Sequence, residues 1–203
     1  MKKKRIKKIV ILIICAVLLI AITCLSVYSC TLHIKEDLSL WQNRDYSQFD
    51  MDELYSEFLP EYSEYKKSTN QAHFYYHDGS MNLGLSNEMV CLELSFDDNT
   101  YSVQKEKVYR EYPFVSEDIW DNNELLTVAS ADVGNYYLYV YDLCVSGFAT
   151  DYIWAYPSIV PFVAFNDNQK VIRWGVIFYG SLDYFENKQN FIEYIKTNVP
   201  IGW

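Results

Sequence analysis

His73 and His77, followed by Asp78, come closest in this chain to the residue types and spacing of a metal site. On a helix, a four-residue interval brings two imidazoles onto one ion. On a strand the same pair shares a face but sits about 13 Å apart, too far for a single cation. The flanking residues alternate as a strand does, so no metal ligand is assigned. Acid-rich loops recur at Asp97-Asp98-Asn99, from Asp118 to Glu124, and at Asn166-Asp167-Asn168. Calcium favours such oxygen sets, but none follows the twelve-residue loop with its mid-loop glycine. Asp and Asn are also ordinary turn formers. Asp183 and Glu186 invite comparison with an acid–base pair, which requires two carboxyls in opposed environments. Spacing alone does not supply that. There is no GxSxG elbow, phosphate loop, HExxH or dinucleotide fingerprint. No catalytic residue and no cofactor is assigned.

Two further groups carry chemistry. Cys91 and Cys144 fall in strand-like segments and form the candidate disulfide, the alternative being two buried thiols. A bridge would close a loop of about 50 residues and contribute about 4 kcal/mol through the unfolded chain. Nineteen Tyr, five Trp and 11 Phe make the chain rich in aromatics. Tyr137, Tyr139 and Tyr141 alternate onto one strand face and form the candidate aromatic binding face. Rings beside carboxylates suit sugars and protein interfaces. Tyr is equally at home on a half-buried strand face.

The elements that must hold these residues are legible from periodicity. Met51, Leu54, Tyr55, Phe58, Leu59 and Tyr62 form one helical stripe over 50–66, with Asp50 and Glu53 at capping-box spacing. Pro60 either kinks this helix or opens a second one at its first position. From Ala72 the period becomes two. Strands are expected at 72–77, 81–86, 89–96, 101–108, 125–130, 136–145, 160–165 and 171–179, with turns at Asp78-Gly79, Asp97 to Thr100, Gly134-Asn135 and Asn166 to Gln169. A helix is expected over 187–198, closed by Pro200. The fold class is therefore α+β: a mostly antiparallel sheet with helices packed on one face, one before the sheet and one C-terminal.

The N-terminus has a different composition. Lys2, Lys3, Lys4, Arg5, Lys7 and Lys8 precede an uncharged run, residues 9–28, in which thirteen of twenty residues are Ile, Leu or Val. Twenty helical residues rise about 30 Å, the thickness of a bilayer's hydrocarbon core. Basic residues on the leading flank keep that end cytoplasmic. The reading adopted is a basic cytoplasmic tail over 1–8, a transmembrane signal-anchor over 9–28, a stalk or lead-in over 29–49, and an extracytoplasmic domain over 50–203. Two other readings export the same body. Val27-Tyr28-Ser29-Cys30 resembles a bacterial lipoprotein box with Cys30 as the lipidated residue, although Tyr28 is bulky for that motif. Simple cleavage would give a secreted protein.

The chain has 203 residues and a net charge of −10, but past residue 8 it carries 27 acidic against 11 basic side chains, a net of −16. Such a body repels phosphate backbones, which excludes a nucleic-acid binder. It attracts basic partners. The expected function is a non-enzymatic recognition module on the membrane, its partners the bilayer through 9–28 and a basic protein. The alternative is an envelope-polysaccharide binder or carboxylate-based hydrolase.

Overall fold

In the computed structural model the described residues are 17–18, 34–78, 87–121, 124–148, 159–179, 185–199 and 201–203. Five helices are labelled α1 (Leu38–Asn43), α2 (Asp52–Phe58), α3 (Tyr62–Tyr65), α4 (Asp98–Glu111) and α5 (Lys188–Asn198). Nine strands are β1 (Lys35–Glu36), β2 (Gln71–Asp78), β3 (Asn87–Ser95), β4 (Ile119–Asp121), β5 (Glu124–Thr127), β6 (Ser130–Val133), β7 (Tyr136–Val140), β8 (Ile159–Asn166) and β9 (Val171–Tyr179). The main sheet has seven strands in the order β1-β2-β3-β9-β8-β7-β6, and β4-β5 form a separate pair. Every neighbouring pair is antiparallel, so the α+β class and its antiparallel sheet stand.

Period-two alternation gives the sheet two apolar faces. One row across it reads Phe74, Leu92, Trp174, Val163, Tyr139, and the next, facing the other way, reads Tyr75, Cys91, Gly175, Phe162, Val140. Helices α1–α4 and the turns between them cover the first face. Tyr65 meets Trp174 edge-on at 5.7 Å, Tyr46 lies on Phe74 at 6.1 Å, and Tyr109 meets Tyr139 at 5.2 Å. The C-terminal segment covers the second. Buried Phe191 and Ile195 pack α5 beside β6, and Trp203 reaches Phe162 and Tyr136. Helices are therefore not confined to one face. A central sheet whose strands are apolar on both sides must be covered on both.

Arg173 fixes the C-terminal cover. It projects from β9 onto the second face, 4.1 Å from the Tyr136 ring centroid and 5.1 Å from that of Trp203. It donates to Glu93 Oε2 at 2.6 Å and to the carbonyls of Gly202 at 2.7 Å and Ile201 at 3.2 Å. Gly134, at φ +63° in the β6–β7 turn, lets the Trp203 backbone approach where a Cβ would stand 2.3 Å from its carbonyl carbon.

Several expectations are corrected. Residues 101–108 are not a strand but the body of α4. Asp97 accepts from the N–H groups of Asn99 and Thr100 and starts a helix instead of a hairpin turn. Tyr101 and Val108, two helical turns apart, are buried, while Val103, which a strand would bury with Tyr101, is 63% exposed. The stripe over 50–66 breaks into α2 and α3. Pro60 neither kinks a helix nor opens one: Leu59 before it is extended, and Glu61 after it is the N-cap of α3. Met51, without a side-chain cap, takes the place foreseen for Asp50. The strand from Tyr136 ends at Val140, because Asp142 accepts from the N–H groups of Cys144 and Val145 and turns the chain. The stretch set apart as a stalk joins the body from Lys35 onward, with Trp41, Tyr46 and Phe49 in the core.

The 81–86 strand lies outside the described residues, as does the 9–28 segment except for Val17 and Leu18, which are helical. No helix among the described residues is long and apolar enough to cross a membrane.

Candidate acidic cleft

Between α2, α3 and α4 the helical layer opens into a groove of about 220 Å³, whose lining includes Glu57, Glu61, Glu64, Glu111, Arg44 and Lys107, with Tyr65 and Tyr112 behind them. Its wall is the corner at Leu59-Pro60. A helix ends with carbonyls that have no intrahelical partner, and Pro60 cannot donate a hydrogen bond to them. Side chains from three other places supply donors. Arg44 donates to the Ser56 carbonyl, Tyr112 Oη to the Phe58 carbonyl at 2.9 Å, and Trp41 Nε1 to the Pro60 carbonyl at 2.7 Å. The corner is held before any partner arrives, so binding need not order it.

The charges in the groove are unequal. Lys107 lies 2.6 Å from Glu64, 3.8 Å from Glu111 and 5.3 Å from the Tyr65 ring centroid. Arg44 lies 3.8 Å from Glu61. Glu57 has no ion pair among the described residues. Arg110, outside the lining, lies 3.1 Å from Glu111, so the four carboxylates meet three cations and a smaller surplus of negative charge remains, centred on Glu57. Ion pairs of this exposure are worth about 0–1 kcal/mol, so an incoming cation exchanges partners at little cost. Burial, then the charges of Glu64 and Glu111, push the Tyr65 hydroxyl well above its ordinary value and keep it neutral. Burial does the same for Tyr112.

Size and exposure limit the chemistry. Small-molecule pockets run to about 300–1,000 Å³, and this groove is smaller. It has room for one or two basic side chains lying against tyrosine rings. All four carboxylates are exposed, whereas acid–base catalysis needs one carboxyl in an environment that holds its proton.

The residues singled out from sequence are dispersed. Cys91 is buried and Cys144 is partly buried. Cys91 lies on β3, and β7 is three strand spacings away, about 14 Å, with Cys144 in the turn beyond it. Burial pushes the Cys91 thiol up to about 12. Tyr139 packs among Tyr109, Phe114 and Phe165, and Tyr141 against Phe58 and Tyr112. Only Tyr137 of the three is open, at 40% exposure, with Tyr109 across Tyr139 from it. His73 pairs with Glu36 at 2.6 Å, and His77 is buried. Asp97 caps α4, Asp118 holds Ala129 N–H and Lys188, and Asp167 binds Tyr101 and Lys105. Asp183 lies outside the described residues. No His, Cys, Asp and Glu grouping suited to a metal occurs among the described residues.

The groove itself had a partial signal: Glu57, Glu61 and Glu64 recur at helical spacing beside the apolar stripe. Its other half was hidden, since Lys107 and Glu111 lie on or just past a segment that reads as a strand. Comparisons with protein-family models, curated proteins and solved structures return no match for the chain.

Proposed function

We propose that this chain is a membrane-anchored recognition protein whose acidic extracytoplasmic domain binds a basic protein partner. Residues 1–8 remain in the cytoplasm, 9–28 span the bilayer, and the α+β body stands outside. The observation that carries the binding role is the braced groove with four carboxylates and two exchangeable cations. A body at −16 supports it by drawing basic partners to the surface. A protein that neutralises a basic toxin would have this physical character.

The test compares full-length protein in nanodiscs with its E57Q/E61Q/E64Q variant as baits for extracytoplasmic proteins. A partner is expected to be basic, to bind the parent, to leave as salt rises above about 0.15 M, and to bind the variant at least tenfold more weakly. Binding that ignores both salt and the three substitutions would refute the reading. The carbohydrate alternative is favoured by one observation, the open Tyr137 and Tyr109 on either side of Tyr139. Retention on envelope polysaccharide that Y137A abolishes would shift the assignment to it.

A further inference from the structure

Lys107 projects from α4 toward α3 and ends in a setting that suits an ammonium. Its Nζ donates to Glu64 Oε2 at 2.6 Å and stands 5.3 Å from the Tyr65 ring centroid, within cation–π reach. The back of this setting is fixed. Tyr65 is 2% exposed, meets Trp174 edge-on at 5.7 Å and lies 6.2 Å from Phe96. Burial, with the charges of Glu64 and Glu111, keeps its hydroxyl protonated, so the ring stays neutral and presents its electron-rich face.

The front of the setting is exchangeable. Glu64 is half-exposed, and Glu111, one turn beyond Lys107 on α4, lies 3.8 Å from the same Nζ. Lys107 therefore has two carboxylates within a short swing of its flexible stem, one on the facing helix and one on its own. Pairs of either kind are weak, so neither position holds the ammonium firmly. Glu57, in the lining of the same groove, has no ion pair among the described residues. An open attracting charge thus stands beside a subsite already filled by the chain's own lysine.

We propose that Lys107 is an internal stand-in for a lysine of the basic partner. It fills the subsite of Glu64 and Tyr65 in the free protein and retreats to Glu111 when the partner's lysine takes its place. This rests on the groove being the binding site, as proposed above, and names the side chain that the groove accepts. The occupant the structure shows there is an ammonium over a ring face, so a lysine is the matching chemistry. The consequence is self-competition, because apparent affinity scales with the fraction of protein whose subsite is open. A surface pair of this exposure keeps the subsite filled about half to five-sixths of the time, so vacating it strengthens lysine binding about two- to sixfold.

The experiment titrates tetralysine amide into full-length protein in phosphatidylcholine nanodiscs, whose lipid has no net charge, at about 0.15 M salt. Calorimetry compares the parent with K107M, R110M and E57Q/E61Q/E64Q. Arg110 lies 3.1 Å from Glu111, with 73% of its side chain exposed, and is outside the groove lining. R110M therefore removes the same charge from the same cluster without emptying the subsite. The expected result is binding by the parent, binding about two- to sixfold tighter by K107M, and R110M close to the parent. The triple variant is expected to bind at least about tenfold more weakly. Equal gains in K107M and R110M, or no gain in K107M, overturn the stand-in and leave the groove reading intact where the triple variant still loses binding. Binding that the triple variant retains in full, or no binding by any of the proteins, overturns the groove reading and the stand-in together.

Discussion

Arg173 offers the sharpest perturbation. It is 4% exposed and makes three hydrogen bonds, one to the Glu93 carboxylate and two to tail carbonyls, between the rings of Tyr136 and Trp203. Arg173→Ala strands a mostly buried carboxylate and two carbonyls and removes the group that ties the tail to the sheet. Breaking a buried pair by removing one partner costs about 3–5 kcal/mol. For a domain of this size, about 4 kcal/mol lowers Tm by about 8–16 °C. Thermal and urea unfolding of full-length protein in detergent, followed by tryptophan fluorescence, measures it. R173L/E93L separates pairing from packing: with no charge left unpaired, it should recover most of the loss. A loss under about 1 kcal/mol for R173A, or a double variant that loses the sum of both single ones, would refute the clamp.

Glu88, 3% exposed, accepts hydrogen bonds from the Tyr55 hydroxyl and the Asp50 N–H, yet burial pushes its carboxyl above the ordinary 4.5. An acid with a raised folded pKa stabilises the native state when protonated, fully below pH 4.5, and that contribution is lost as pH rises through the folded value. Unfolding free energy measured against pH should show this decline, and E88Q should flatten it. A Cβ on Gly175 would stand 2.2 Å from the Phe162 ring. G175A should therefore cost about 1–3 kcal/mol in denaturant unfolding, and F162L in the same chain should restore part of it. Cys91 is fully buried and its thiol pushed up by burial, whereas Cys144 is only partly buried, so maleimide in native buffer should modify Cys144 well before Cys91. Mass spectrometry of the peptides reads the order, and equal rates or a disulfide-linked pair would contradict it.

Local pattern settled a good part of this protein. The β8–β9 hairpin was legible because Val160–Phe165 and Val171–Tyr179 flank a polar turn whose Asn166 side chain accepts from the Asn168 and Gln169 N–H groups. The last helix was legible because Asn187 caps it and Phe191 and Ile195 share a face. Residues 101–108 were misread because Tyr101 and Val103 alternate like a strand. The deciding term was a cap four residues upstream, at Asp97, together with the burial of Val108. Tertiary contact alone decided the rest. Trp41 could not be known as the donor to Pro60, nor Arg173 as the holder of the tail, because each partner lies 19 or more residues away. The groove and the separation of Cys91 from the end of β7 follow from strand order, and strand order reflects how apolar faces find cover across the whole chain. Composition and nearest-neighbour periodicity report short-range preferences. Which side chains meet depends on long-range packing that no local window contains.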